Sequence, residues 1–582
     1  MCKGYMWREC VIAMLFSLWA CAAAGQSSEE LEAIMLLTGC AQPENLDEYD
    51  VERLCHYMEH PVRINSVSVA YLRSCGLFSA YQAASLVDYR SRHGDVMSLN
   101  ELSSVDGFTA EKVRALSPFI SLAGGGIING DTDLSHDLAV KGGVAISDGT
   151  ASGGYGMKYR FTASDRASAA LAFSRANDER LGLPDSWAGH LSWDMRRIPV
   201  RFLAGDFNAR FGQGLALWNG FSMSGAGKTN SFFRSSAGLS SSWSFTGSNA
   251  LTGFASELSV SRMRVSALVA FPGIKAKGAS GAGILPAVNL GWYGRNMSAS
   301  LTHYAEFAGS SIRTYIPDMK TSADVALCLH GTDLFGEIAF DWVNMSAAVL
   351  AGTIFPCGEE VRSAVHVRYY PSTFNPSRSS AMRSGSKCSN EHAVSLSTDY
   401  QKKSGGLAAG LSLDLSYRPV PQSGTENNVQ LKILNDCSVE FSDLFQLKFR
   451  FSERLRSWGQ KSRTDVRADL VWTWNRFVLC SRMNVLRCKG TGLLSYAEGG
   501  YKGDDLSIYL RAGIYRIDNW DDRIYVYERD APGNFTVPAM YGRGAWFSFS
   551  MSWKYARWGR LYVRAAKKPG KAELKLQSVF SF

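Results

Sequence analysis

Beyond its opening residues the sequence has no run of about 20 consecutive apolar residues, the length a helix needs to cross a hydrocarbon core. A helical membrane protein is excluded on that count. CxxC, HExxH and GxSxG are all missing, so the common signatures of thiol redox, zinc peptidase and serine hydrolase chemistry are not there. Charged residues make up only 20% against 46% apolar, a balance that argues against a disordered chain. Proline is sparse, 16 against 55 glycines, and with 12% aromatics this suits many strands joined by turns. No metal or other cofactor is implied. His56 and His60 have metal-ligand spacing on a predicted helix, but a solvated helix face explains them.

The first 25 residues read as a secretory signal. Lys3 and Arg8 precede the apolar run Val11–Ala20, and CAAAGQ offers small residues for cleavage. LWAC also admits a lipoprotein reading with Cys21 acylated. Nine of the 12 cysteines remain beyond that segment, an odd number with no regular spacing. They read as incidental apolar residues. Pairing of Cys480 with Cys488 across neighbouring strands is the one disulfide considered.

The remainder splits in two. Residues 26–122 carry helix-length segments with apolar residues three and four apart, as in LEAIMLL and AASLVDY. A Gly-rich linker is expected over 123–136, and from 137 to 582 the period becomes two. Charge divides along the same line. Residues 27–122 hold 7 basic and 14 acidic side chains, a net of −7, whereas the part beyond them carries +15.

In GLSLDLSY, Leu411, Leu413, Leu415 and Tyr417 share one face and Ser412, Asp414 and Ser416 the other. LSIYLRAGIY, FQLKFRF, VRADLVWTW and AWFSFSMSWKY repeat the pattern, with aromatics near their ends. Segments of this kind running 9–13 residues predict a large antiparallel transmembrane β-barrel of roughly 18–24 strands, apolar side out. The final segment, KAELKLQSVFSF, places Leu574, Leu576, Phe580 and Phe582 on one face, like the terminal signal that such barrels present to their assembly machinery. A barrel this wide has room for an aqueous lumen or a plug. The non-alternating stretches near 208–240, 371–391 and 517–543 predict external loops or inserts into the lumen. GDFNARFGQGLALWNGF and DDRIYVYERDAPGNFTVPAMYGRGAW combine glycines with aromatics, which makes structural corners or a pore constriction. In the second case Arg210, Arg523, Glu528, Arg529 and Asp530 would set the field in the pore.

Residues 61–122 contain an opening INS and a turn at Cys75-Gly76-Leu77. DYR at 88–90, SLNEL, a second turn at Asp106-Gly107-Phe108 and LSPFI follow in order. This succession resembles the tandem helix-hairpin-helix domain of bacterial competence DNA receptors. FGQGL at 211–215 and YVYERDAPGNF at 525–535 are similar to helix-hairpin-helix outer-membrane proteins of Bacteroidetes-type bacteria. The resemblance implies an outer-membrane place with the helical domain in the periplasm, next to lipid and the barrel-assembly machinery. It also implies phosphate contact at hairpin loops of the form Gly-apolar-Gly. Each loop here keeps the first glycine and replaces the second, with Phe78 and with Thr109. Double-stranded DNA would accordingly be held, without sequence preference, by Gly76, Gly107, Thr109, Lys112 and Arg114.

Two non-enzymatic readings follow. One is a DNA-handling or uptake protein with the helical domain as receptor. The other is an outer-membrane channel or assembly component whose helical domain docks a periplasmic protein or caps the barrel.

Overall fold

The structure, a computed structural model, describes residues 28–582 apart from 39, 41, 47, 68–70, 73–74, 109, 124–133, 164–165, 180–181, 196–197, 221–224, 235, 246–249, 276–282, 295, 308–317, 404, 422–427, 443 and 457–461. The expected signal segment with Cys21, most of the expected linker, and Thr109 lie outside the described residues.

Strict alternation dictates the wall. A strand whose neighbouring side chains point to opposite faces can meet lipid with one set and water or protein with the other. Leu411, Leu415 and Tyr417 point outward, while Ser412, Asp414 and Ser416 are buried inside. Phe445 and Phe449, Leu506, Leu510 and Ile514, and Leu574 and Leu576 are likewise exposed on the outer surface. Twenty-four antiparallel strands, from Leu134–Ser147 to Lys571–Ser581, close into one barrel, the last pairing with the first. A further short strand, Gly238–Ser241, pairs onto the inner end of Val200–Arg210.

The two ends of the barrel differ. Where both Leu134 and Ser581 lie, turns are tight, as at 261–262, 330–331 and 475–476. Ser261, His330 and Asn475 take positive φ there, as two-residue hairpin turns require. The opposite end carries the long connections 211–250, 371–390 and 518–541. Short periplasmic turns and long external loops characterise outer-membrane barrels. Aromatic rings band both ends: Trp472, Trp474 and Phe477 stack in series at the short-turn end, and Phe340 meets Trp342 at the other. The chain is thus a transmembrane β-barrel of the outer-membrane type.

The helices precede the barrel: α1 (Ser28–Thr38), α2 (Glu48–Glu59), α3 (Ala80–His93), α4 (Leu99–Leu102) and α5 (Ala110–Leu116). They share one core that includes Ile34, Leu54, Ile64, Leu86, Leu102 and Phe119. Among the described residues Cys75, Cys328, Cys357, Cys388, Cys437, Cys480 and Cys488 are free thiols. Cys480 and Cys488 lie along one strand and its extension, eight residues apart, so the pairing considered from sequence does not form.

Candidate functional site: a lumen closed by a helical plug and two inward loops

The helical unit is tied together by residues whose roles no periodicity reveals. Asn65, of the INS segment, accepts from Val96 N at 2.9 Å and donates to the carbonyls of Val96 and Leu122, both at 2.9 Å. Arg90 donates to the carbonyls of Asn65 at 2.6 Å and Val67 at 3.2 Å. Val62–Arg63 pairs in parallel with Ile120–Ser121, which joins the two ends of the segment. Ser79 and Gln82 form a capping box at the start of α3, and Gln82 Nε2 donates to Gly107 O at 2.9 Å, linking the two turns.

Both turns have a positive-φ glycine, Gly76 and Gly107, as predicted hairpins need. Neither presents an open glycine face. A Cβ on Gly76 would fall 1.8 Å from Arg53 Nη1, and one on Gly107 2.7 Å from the Tyr81 ring. Phe78 is a core residue, packed against Phe108 at 6.0 Å between ring centroids. Lys112 pairs with Asp333 of the barrel wall at 3.5 Å, and Arg114 is exposed.

That last ion pair is one of a set. Among the described residues, Glu44 accepts from Arg482 Nη1 at 3.1 Å and lies 3.4 Å from Arg467. Asp50 pairs with Arg210 at 3.2 Å, Glu52 with Lys158, and Glu32 with Lys448. Arg160 Nη2 donates to His56 Nε2 at 2.7 Å. Apart from Arg210, which sits on a strand end turned into the lumen, these partners occupy inward-facing positions of the wall. The helical unit therefore lies in the lumen, instead of projecting into the periplasm as expected from sequence. The cause is electrostatic: an acidic unit meets a basic inner wall, where low-dielectric surroundings strengthen each attraction.

Burial alone would push these carboxylates up. Arg467 and Arg482 instead hold Glu44 down at about 2. Asp50 is also lowered, burial being outweighed by Arg210 and Arg53. His56 moves well below its ordinary value through burial and the charge of Arg160, so it stays neutral and accepts a hydrogen bond from the arginine. The His56 and His60 rings lie 4.8 Å apart and tilted by 32°, and among the described residues no group of three His, Cys, Asp or Glu is arranged to hold a metal.

Two of the three predicted stretches fold inward to meet the plug, and the third joins them. Gly205, at φ +95°, turns the strand Val200–Arg210 away from the wall; a Cβ there would stand 2.2 Å from Gly189 O. Asp206–Arg210 is buried on both faces. The connection that follows is zipped to the 371–390 loop: Ser380 N donates to Gly214 O at 2.9 Å, and Trp218 N to Arg378 O at 3.1 Å. Glu337, from the wall, accepts from the N–H groups of Gln213 at 2.7 Å and Leu215 at 3.0 Å.

The 518–541 loop forms the second arm. Glu528 pairs with Arg564; Arg529 pairs with Glu498 at 2.9 Å and lies over the Tyr509 ring; Asp530 accepts from Lys575 at 3.0 Å and Thr536 at 2.6 Å. Tyr527 N donates to Glu44 at 3.3 Å, and Phe535 packs on the helical core. Arg210, Glu528 and Asp530 are thus buried in the lumen, with Arg529 half-buried beside them. Arg523 is not with them: it sits at the outer end of the loop over Trp520, bonded to the Tyr525 hydroxyl at 2.8 Å.

A cavity of about 930 Å³ remains between plug and wall. Its lining reaches from the short turn at 503–505 to Arg175–Asn177 and Asp185 at the long-loop end, past Lys141, Arg564 and Lys575. Gly143 and Gly154, paired directly across two strands, leave the wall without side chains there.

No protein-family model and no curated protein matches the chain. Among solved structures, the P pilus usher PapC translocation pore is similar at 8% identity and a TM-score of 0.39, over 77% of this chain and 99% of that one. The siderophore receptor PirA from Pseudomonas aeruginosa is similar at 9% identity and TM-score 0.39, over 78% and 81%. The copper transporter OprC is similar at 8% identity and TM-score 0.37, over 78% and 81%.

Proposed function

We propose that this chain is a non-enzymatic outer-membrane channel whose N-terminal unit, a helix-hairpin-helix fold, serves as its lumen plug. The observation that carries the reading is the set of ion pairs from Glu32, Glu44, Asp50 and Glu52 to inward-facing Lys448, Arg467, Arg482, Arg210 and Lys158. The positions that a DNA-holding hairpin would expose are occupied: within the helical unit Arg53 covers Gly76 and Tyr81 covers Gly107, and Lys112 pairs with the wall. The capping reading therefore has support that the DNA reading lacks. The cavity between plug and wall is the route along which solute passes when the plug shifts.

The test is conductance of the purified full chain in planar bilayers, against Glu44→Lys/Glu52→Lys. Reversal of two charges places like charges against Arg467, Arg482 and Lys158, so the variant should conduct more, with a larger unit step. An unchanged conductance, with protease mapping that shows the helical unit detached, would sink the reading.

A further inference from the structure

A second cavity, of about 580 Å³, lies between the wall, the tip of the 371–390 loop and the segment around Glu44. Its lining holds seven Lys or Arg residues against three Asp or Glu. These cations are in register. Lys432 stands directly across from Arg454, and Arg454 directly across from Arg463, on inward-facing positions of three successive strands. Four residues further along, Arg450 stands directly across from Arg467. Like charges directly opposite on a sheet destabilise it. A wall that places five cations in two rungs needs anions to offset them.

The two rungs are compensated differently. Arg467, in the inner rung, meets Asp469 at 2.8 Å and Glu44 of the plug at 3.4 Å. In the outer rung three cations share fewer carboxylates: Lys432 faces Asp414 directly across the sheet and its Nζ also donates to Ser384 O at 3.2 Å, Arg463 donates to Arg523 O at 3.3 Å, and Asp465 lies between the two rungs. The plug thus supplies a carboxylate to one rung, and the cavity is the space beside the other. Its volume suits a small ligand, within the common range of about 300–1,000 Å³.

We infer that this cavity is a binding site for a compact multivalent oxyanion, bridged by Lys432, Arg454 and Arg463 with Arg450 beneath it. Guanidinium groups favour such ligands because their fixed forks match planar or tetrahedral oxyanions with charge-assisted bonds. The inference takes the docked position of Glu44 from the plug reading, yet its central claim concerns wall residues alone.

The test is isothermal titration of the full-length protein in detergent at low salt, with inorganic tripolyphosphate and, in a second arm, citrate. Wild type should bind tripolyphosphate saturably at one site, and the second arm shows whether carboxylates serve as well as phosphates. Arg454→Gln/Arg463→Gln should weaken binding at least about tenfold, as expected when two bonds to charged groups go. Arg476→Gln/Lys502→Gln, at the short-turn end, should bind as wild type does. Heat-dependent mobility on gels checks that each variant has a closed barrel. Absence of saturable binding by wild type, or equal binding by the Arg454/Arg463 variant, overturns the site. Failure of the plug reading shows separately, in conductance.

Discussion

The Glu44 carboxylate lies between Arg482, at 3.1 Å, and Arg467, at 3.4 Å, while Asp469 meets the same two arginines from the wall at 2.5 and 2.8 Å. Two carboxylates and two guanidiniums thus make a closed square, one corner of which belongs to the plug. Glu44→Gln removes that corner's charge and leaves two buried cations sharing one anion, a loss of about 3 kcal/mol for a broken buried pair. Limited proteolysis of the helical unit in the intact protein should speed up accordingly. Unchanged protection would show that Glu44 does not hold the plug.

Acid should loosen the plug. His56 is neutral when docked, with its proton affinity pushed well below the ordinary value of 6.5. A released histidine takes up a proton more readily, so falling pH favours release, beginning below about 6.5. Glu44, held at about 2 against an ordinary 4.5, has the same sign and acts at lower pH, with docking lost as the pH falls from 4.5 toward 2. Conductance should therefore rise between pH 7.5 and 5, and His56→Gln should flatten that rise. An undiminished rise in the variant would assign the effect elsewhere.

Asn65→Ala deletes three hydrogen bonds that join the Val96 and Leu122 segments. At about 1 kcal/mol each net, with an added cost for backbone groups left buried, the helical unit should lose roughly 3 kcal/mol. Proteolysis should then digest the helices while the barrel still resists heating in detergent on gels. Equal sensitivity of both would mean that the two parts fold as one.

Gly205→Val meets two obstacles: a left-handed φ, and the carbonyl of Gly189 at 2.2 Å from the new Cβ. The expected strain is about 1–3 kcal/mol for the backbone alone. The inward turn of Asp206–Arg210 should fail, which also frees Asp50 from Arg210. A smaller folded fraction or a leaky pore in bilayers is the result to look for; a wild-type record would count against the turn as a fixed corner.

The barrel was largely legible from residues such as Leu411–Tyr417 and Leu506–Ile514, because alternation is a local property of the chain and lipid demands it on every strand. The strand number came out at the top of the expected range because faint strands such as Met263–Ala270 have few charges to mark their inner face. The motifs at 205–221 and 521–546 were visible as unusual, since glycines among aromatics signal close backbone approach. That they point into the lumen was not, because their partners, such as Glu337 and Arg564, lie far away in sequence. The site of docking was legible only as a charge difference between the two parts. Phe78 was the most misleading residue. Read as a hairpin loop, it stands where a phosphate-binding glycine belongs; in the fold it fills the core beside Phe108. Phe78→Gly should therefore destabilise the helical unit by about 3–5 kcal/mol and confer no affinity for duplex DNA at low salt, measured by gel shift. A shift gained by that variant would revive the receptor reading.

Charge matching between plug and wall also sets what the barrel would be without its plug. Withdrawal of the helices would uncover Lys158, Arg160, Arg210, Lys448, Arg467 and Arg482 together, all facing a water-filled bore. Counterions would enter in their place, and the emptied bore would pass chloride ahead of potassium. The open state should thus announce itself by a reversal potential displaced toward that of chloride across a salt gradient, a signature that a narrow leak around a docked plug would not share.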